Sequence, residues 1–302
     1  MRRIVIAGGS GFTGQALVAA FSAREFEVVV LTRSPRKRQD GVREAVWDGK
    51  HVAEWRQLLD GADAVINLAG QSINCPHTPE NLRVIITSRV DSVTAIAGAI
   101  GKAATTPRVW VQASATGFYG DTGDVCRDES APVGSDVLAK ICRQWEAAFA
   151  AANVPATRKV ALRIGFVLGR DGGALPVLSK LTKWFLGGAA GGGRQYISWI
   201  HLADLARMFV AAVENEKLSG TFNAVAPGAV TNAAFMRELR RTRHRPWTPP
   251  APVFAVKLGA RLLGSEASLA LVSQRCAPKK FLAAGFQFQF AELAPALDHL
   301  CR

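Results

Sequence analysis

The sequence predicts an α/β protein built on a doubly wound parallel sheet with a smaller C-terminal portion, and three observations carry that prediction. Short apolar runs alternate with helical stretches over roughly the first 170 residues. The first of these runs, Ile4-Val5-Ile6-Ala7, ends directly in glycines spaced Gly8-x-x-Gly11-x-x-Gly14, and a helical stretch follows. Hydrophobic residues make up 49% of the 302, ample for the core of one large or two smaller domains.

Each element follows from its local pattern. Strand, glycine turn and helix over 4–21 form a dinucleotide-site pattern of Rossmann type. Gly8 permits a tight turn, Gly11 lets backbone approach a pyrophosphate, and Gly14 lets the helix pack on the strand. The helix N-terminus then faces the anion with unpaired N–H groups and the positive end of its dipole. Gly8, Gly9, Ser10, Gly11, Phe12, Thr13 and Gly14 are therefore candidate cofactor residues. A second strand over 28–32 ends in Thr32, Arg33, Ser34 and Arg36, with Lys37 next and no acid before Asp40. An acid at such a strand end suits the free 2′-hydroxyl of NAD, whereas a 2′-phosphate needs a cation, so NADP(H) is expected over NAD(H).

A weak third strand over 45–47 precedes a clearer one over 63–70. That strand closes on Asn67, Leu68, Ala69 and Gly70, where backbone can approach a cofactor. The pattern predicts a long helix over 80–104, a fifth strand over 108–114, a helix over 138–152 and a sixth strand over 157–167. A helix over 175–186 leads to the glycine-rich stretch 187–194, a lid or a connector, which ends in Arg194. An extended segment over 195–201 feeds a helix over 203–214 with Asp204 in its first turn. The remainder holds the stretch Thr221-Phe-Asn-Ala-Val-Ala-Pro227, a helix over 232–241, the stiff proline segment 246–252, and helical stretches over 253–263 and 265–273. Residues 1–170 are read as an NADP-binding Rossmann domain to which segments such as 195–228 return, and 171–302 as mainly a smaller substrate-binding domain.

Composition narrows the function classes. No stretch is long and apolar enough to span a membrane, and the N-terminus reads as a strand, so a soluble, cytoplasmic protein without membrane partners is expected. Cys75, Cys126, Cys142, Cys276 and Cys301 are widely spaced and read as reduced thiols, and neither they nor the five histidines show metal-ligand spacing. Thirty-seven Lys and Arg against 24 Asp and Glu give +13, which favours an anionic partner. No zinc-finger or aromatic RNA-binding pattern accompanies the basic groups, including the one from Arg237 to Arg245, so nucleic acid is not the expected partner.

The stretch Ser114-Ala-Thr-Gly-Phe-Tyr-Gly120 adds a resemblance. Together with the glycine loop, Asn67-Leu-Ala-Gly70, Leu162-Arg-Ile-Gly-Phe-Val-Leu-Gly169, Ser198-Trp-Ile-His-Leu-Ala-Asp204 and Asn223-Ala-Val-Ala-Pro227, it resembles an extended short-chain dehydrogenase/reductase of the NAD(P)-dependent epimerase/dehydratase type. More narrowly, the chain is similar, nearly end to end, to the YfcH-like epimerase-family branch, whose C-terminal segment Gln274-Arg-Cys-Ala-Pro278 and Gly285-Phe286 also match. The resemblance implies hydride transfer on a small polar substrate, by an oxidoreductase or by an epimerase acting on a nucleotide-linked sugar. It assigns Ser114, or Thr116 if the loop is shifted, to the reacting oxygen. The superfamily's Tyr-x-x-x-Lys pair, whose phenol acts as acid or base, is absent: Leu138 and Cys142 occupy the two positions. Tyr119 is the substitute phenol to consider, and Cys142 a residue facing the cofactor. Arg163, at the end of the sixth strand, is read either as a substrate-phosphate contact or as a residue that holds the following loop, and Arg194 and His201 are placed on the substrate side. At Cys75-Pro-His-Thr78 the chain departs from the branch, which has Arg-Trp-Thr there. A second function class stays open, a catalytically silent NADP-sensing regulatory protein; oligomeric state is left open as well.

Overall fold

The computed structural model describes residues 2–301. Strand β1 (Arg3–Ala7), helix α1 (Phe12–Ser22), β2 (Glu27–Thr32), β3 (Arg43–Val46), β4 (Ala64–Asn67), α2 (Pro79–Ile100), β5 (Val109–Ala115), α3 (Val137–Ala151) and β6 (Arg158–Ile164) form the first part of the chain. Next come β7 (Phe166–Leu168), α4 (Leu175–Lys183), β8 (Tyr196–Ile197), β9 (Trp199–His201), α5 (Leu202–Glu214), β10 (Gly220–Ala224) and β11 (Val230–Thr231). Helices α6 (Asn232–Thr242), α7 (Val253–Leu262), α8 (Ser268–Leu271), α9 (Lys279–Ala283) and α10 (Leu293–Cys301) complete it.

Seven strands form one sheet in the order β10-β6-β5-β4-β1-β2-β3, and every pairing in it is parallel. The connection reverses direction between β1 and β4, the point at which such sheets open a crevice at the strands' C-terminal ends. Both faces are covered, which is why the strands are apolar on consecutive residues. On β1, Ile4 and Ile6 join the core that holds Leu17, Phe21 and Phe209, from α1 and α5. Val5 and Ala7 point the other way, into the core with Ile96, Trp145 and Phe149 from α2 and α3.

Register sets what gathers at the C-terminal edge. Ala7 lies opposite Leu31 and Asn67; Ser114 lies opposite Arg163, and Arg163 opposite Asn223. Thr78 caps α2 by accepting from Asn81 N at 3.2 Å, and Asp136 caps α3 by accepting from Ala139 N at 2.8 Å.

Four predicted elements change. The single strand over 157–167 is broken at Gly165, where a Cβ would lie 2.3 Å from Ser198 O, and β7 leaves to pair with β9. The long helix stops at Ile100 with Gly101 as its C-cap. Helix α4 ends at Lys183, because Phe185 takes φ +61° and turns the chain. Only 268–271 of the last predicted helix is helical. The C-terminal segment is tied to α5 by buried Asp204, which accepts from Gln289 N at 2.9 Å and Phe290 N at 2.8 Å.

Candidate functional site

The glycine loop crosses the C-terminal end of β1. Gly8 sits at φ +78°, and a Cβ there would lie 3.1 Å from backbone atoms of Leu68 and Ala69. Gly14 is tighter still, since its Cβ would meet Gly9 Cα at 2.5 Å. Gly11 differs: the one atom within 4 Å of an added Cβ is Gly8 O at 3.5 Å, so that side is open. Gly11 is also the N-cap of α1, without a side-chain cap bond and with no acid in the first turn. The first amides of α1 therefore lack an internal acceptor from any cap, which is the requirement for an anion cradle. Ser10 is exposed and Thr13 half-buried beside it, and Gly9 packs on Val30. The Phe12 ring lies against Gly169 and Gly172, where added side chains would come within 2.3 Å of it; Phe12 contributes backbone to the loop and anchors it.

At the end of β2, Thr32 Oγ1 accepts from Ser34 N at 3.4 Å. Arg38 is the cation that the fold neutralises: it donates to Asp40 at 2.6 Å, faces Glu44 at 3.4 Å, and reaches Gln15 of α1 at 2.9 Å. The Asp40 carboxyl is held at about 2 chiefly by its hydrogen bond from Arg38. Glu44 also accepts from Arg36 N at 2.8 Å. The Arg33 and Arg36 side chains are exposed and pair with no carboxylate among the described residues. The fold thus silences the nearest acids and leaves two guanidinium groups available.

At the end of β4, Asn67 is fully buried and spends its side chain internally. It donates to Ser92 Oγ at 3.1 Å and Gln112 Oε1 at 3.0 Å, and accepts from Ala69 N at 3.0 Å. Its effect is to fix the Leu68-Ala69-Gly70 backbone beside the glycine loop. Behind Gly70 lies Arg89 of α2, whose Cγ would be 3.1 Å from a Gly70 Cβ. Arg89 Nη1 donates to Gln71 O at 2.9 Å and Ile85 O at 3.0 Å, and the guanidinium lies 4.9 Å from the Trp145 ring. Burial lowers its pKa, and it has no carboxylate partner among the described residues. Sequence reading passed over Arg89; α2 also carries Arg83, which is exposed, and nothing in the local pattern separates the two.

The ends of β5, β6 and β10 form one buried network. Ser114 Oγ donates to Glu146 Oε1 at 2.6 Å. Arg163 donates to the same carboxylate twice, Nε at 2.9 Å and Nη2 at 2.8 Å, and its Nη1 donates to Tyr119 Oη at 2.8 Å. Tyr119 Oη in turn donates to Asn223 Oδ1 at 2.7 Å. Burial pushes the Tyr119 phenol up to about 12 despite the adjacent Arg163. Burial also opposes the Arg163 charge, but Glu146 outweighs it and the net shift is upward. Ser114, Tyr119 and Arg163 are thus brought together, with each polar head satisfied inside the protein.

Thr116 is separate from that network. Its hydroxyl donates to Gln274 Oε1 at 2.7 Å, and Gln274 is half-buried. Gly117 lies beside Leu138 and Cys142, whose Cβ and Sγ would be 3.3 and 3.5 Å from an added side chain. Burial pushes the Cys142 thiol up to about 12, with Glu146 adding to the shift, so it is protonated at neutral pH. Lys140, between the two, is exposed, as expected about 200° round a helix from either.

The three substrate-side candidates separate. Arg194 is exposed and unpaired among the described residues. Arg163 sits inside the network described. His201 is buried: its Nδ1 caps α5 by accepting from Ala203 N at 3.0 Å, its Nε2 lies 3.2 Å from His299 Nδ1, and its ring stacks on Phe290 at 3.9 Å. It is held by packing and presents no free edge. A cavity of about 670 Å³ lined by Asp63, Arg108, Arg158 and Glu216 lies at the sheet's opposite, N-terminal edge. Among the described residues no cluster of His, Cys, Asp and Glu could hold a metal, and no helix is long and apolar enough to cross a membrane.

Comparison with known proteins gives this geometry a context. Residues 4–225 match the NAD dependent epimerase/dehydratase family, and 251–300 match a domain of unknown function, DUF1731. The chain is 34% identical to the human epimerase family protein SDR39U1, covering 99% of each. It is 34% identical to YfhF of Bacillus subtilis, covering 98% of this chain and 97% of that one. The structure of human SDR39U1 with NADPH superimposes with a TM-score of 0.89 at 32% identity, covering 99% of each chain. A nucleoside-diphosphate sugar epimerase from Corynebacterium glutamicum gives 0.79 at 32% identity, over 99% of this chain and 58% of that one.

Proposed function

Because the chain belongs to the NAD dependent epimerase/dehydratase family, we propose that it binds NADP(H) in preference to NAD(H). We further propose that it acts as an oxidoreductase or epimerase on a small polar, nucleotide-linked substrate. The observation that carries this reading is the pairing of an uncapped α1 N-terminus with the unpaired Arg33 and Arg36 at the end of β2. The residues fit the cofactor. Gly11 leaves room where a pyrophosphate would approach, the amides of Phe12 and Thr13 supply donors, and the cations with Thr32 and Ser34 suit a 2′-phosphate. The backbone of Leu68, Ala69 and Gly70 forms the opposite wall, and Cys142 lies beside Gly117 after β5. Arg89 adds a positive charge on the side where the superfamily's lysine is missing.

When bound, the nicotinamide supplies hydride transfer. This chain's residues then bind and orient. Thr116 and Gln274 form a polar pair able to hold a reacting oxygen, Ser114 lies two residues earlier on β5, and Arg194 offers a cation on the substrate side. The NADPH complex of human SDR39U1 and the nucleoside-diphosphate sugar epimerase of C. glutamicum support the cofactor and the substrate class. Parallel titrations with NADPH and NADH test the cofactor. Tighter NADPH binding is expected; equal affinities would remove the preference, and binding of neither would remove the reading.

A second reading, an NADP sensor without turnover, is favoured by one observation: the hydroxyls of Ser114, Thr116 and Tyr119 are all engaged internally. A screen of carbonyl compounds and nucleotide sugars, with NADPH consumption or epimer formation as readout, separates the two. Turnover that is lost in Thr116→Val while NADPH still binds would exclude the sensor.

A further inference from the structure

Helix α7 is built the wrong way round for a soluble surface. It has no buried residue, and its large side chains face outward. Phe254 is 72% exposed, Leu258 56% and Leu262 79%, at the i, i+4, i+8 spacing of one helical stripe. The half-buried side carries Ala255, Val256, Gly259 and Ala260. Lys257 and Arg261 are exposed beside the stripe.

The patch continues beyond α7. Segments 183–191 and 245–253 run side by side: Arg245 Nε donates to Lys183 O at 3.1 Å, Ala251 N to Ala189 O at 2.8 Å, and Gly191 N to Ala251 O at 2.8 Å. They carry Trp184, Phe185 and Leu186 on one segment and Trp247 on the other, with both tryptophans more than two-thirds exposed. Phe185 holds φ +61° in the turn that projects this apolar tip, a backbone state costly for a bulky residue and retained only where its surroundings impose it.

Charge indicates the occupant. No Asp or Glu occurs between Asp171 and Asp204, or between Glu238 and Glu266. Those two stretches carry the whole patch, together with exposed Lys180, Lys183, Lys257 and Arg261, none paired with a carboxylate among the described residues. Exposed Trp, Phe and Leu interleaved with unpaired cations match the acyl boundary and headgroups of an anionic bilayer. A second copy of the same face would bring like charges together. We infer that this face, α7 with the 184–186 tip and Trp247, docks on anionic membrane surfaces, so that the protein works as a peripheral membrane protein. No spanning helix is needed for such docking.

Cosedimentation of the full chain with vesicles of phosphatidylcholine alone, and of phosphatidylcholine with phosphatidylglycerol, tests this. Binding is expected to the anionic vesicles only, and to weaken with salt. The double substitution Phe254→Ser, Leu262→Ser is expected to lower the partition coefficient about tenfold or more, while its circular dichroism and melting temperature match those of the parent. Absence of binding to anionic vesicles overturns the inference, as does equal binding by the folded variant. A parent that elutes as a dimer which the variant converts to monomer, or that binds soluble polyglutamate but not vesicles, assigns the face to protein contacts and also overturns it.

Discussion

Arg163 at the end of β6 and Glu146 within α3 face each other, joined by two hydrogen bonds of 2.9 and 2.8 Å, with side chains only 6% and 15% exposed. Ser114 and Tyr119 hang from the same pair. The charges hold one another's geometry because water cannot substitute for either.

Breaking that pair is expected to be costly. Glu146→Ala leaves a buried guanidinium uncompensated and should lower unfolding stability by about 3 kcal/mol or more, read from urea denaturation. The exposed pair of Arg108 with Glu216 is the contrast: Glu216→Ala should change stability by less than about 1 kcal/mol. Equal losses would refute the claim that burial makes the difference.

Arg33→Ala should weaken NADPH binding roughly tenfold to a hundredfold, the worth of one charge-assisted hydrogen bond set, and leave NADH binding unchanged. Fluorescence titration with both cofactors measures this. A matching loss for NADH would mean that Arg33 serves the loop and not a 2′-phosphate.

Two glycines should part company. Gly11→Ala has space in the protein, so its melting temperature should stay near the parent's while NADPH affinity falls, the methyl occupying the anion's approach. Gly14→Ala collides with Gly9 and should lose both stability and binding. Calorimetry beside titration would separate them.

Arg89→Met removes a desolvated cation that lacks a carboxylate partner, so only a small change in stability is expected, with weaker NADPH binding. A variant that binds NADPH like the parent would leave Arg89 as a brace for Gln71 O and Ile85 O.

Acid should destabilise the protein through His201. Burial, and then His299, hold its pKa at about 4, below the ordinary 6.5. The unfolded chain therefore binds a proton that the folded one refuses between those values. The contribution is complete above about pH 6.5, declines as pH falls, and is lost by about 4, amounting to roughly 3 kcal/mol. Unfolding free energy measured across this window should fall with acidification, and less steeply in His201→Asn.

How much of this was legible in the chain differs by feature. Gly8, Gly11 and Gly14 carry their meaning in spacing, because the turn they make is local, and the apolar runs give the strands because both sheet faces are covered. Arg33 could be assigned to a strand end from its neighbours alone. The break at Gly165 could not, since it depends on Ser198, far along the chain and close only after folding.

The order of strands and helices, the family and the glycine loop were thus determined by the sequence itself, through periodicity and short-range stereochemistry. Tertiary structure alone decided which charges stay free. It tied Arg38 to Gln15 of α1 and left Arg33 open, closed Arg163 on Glu146, set Gln274 on Thr116, and placed Arg89 behind Gly70. These outcomes turn on burial and on partners distant in sequence, and the free energy of a charge is set by the solvent and counter-charge it meets, which no local pattern records.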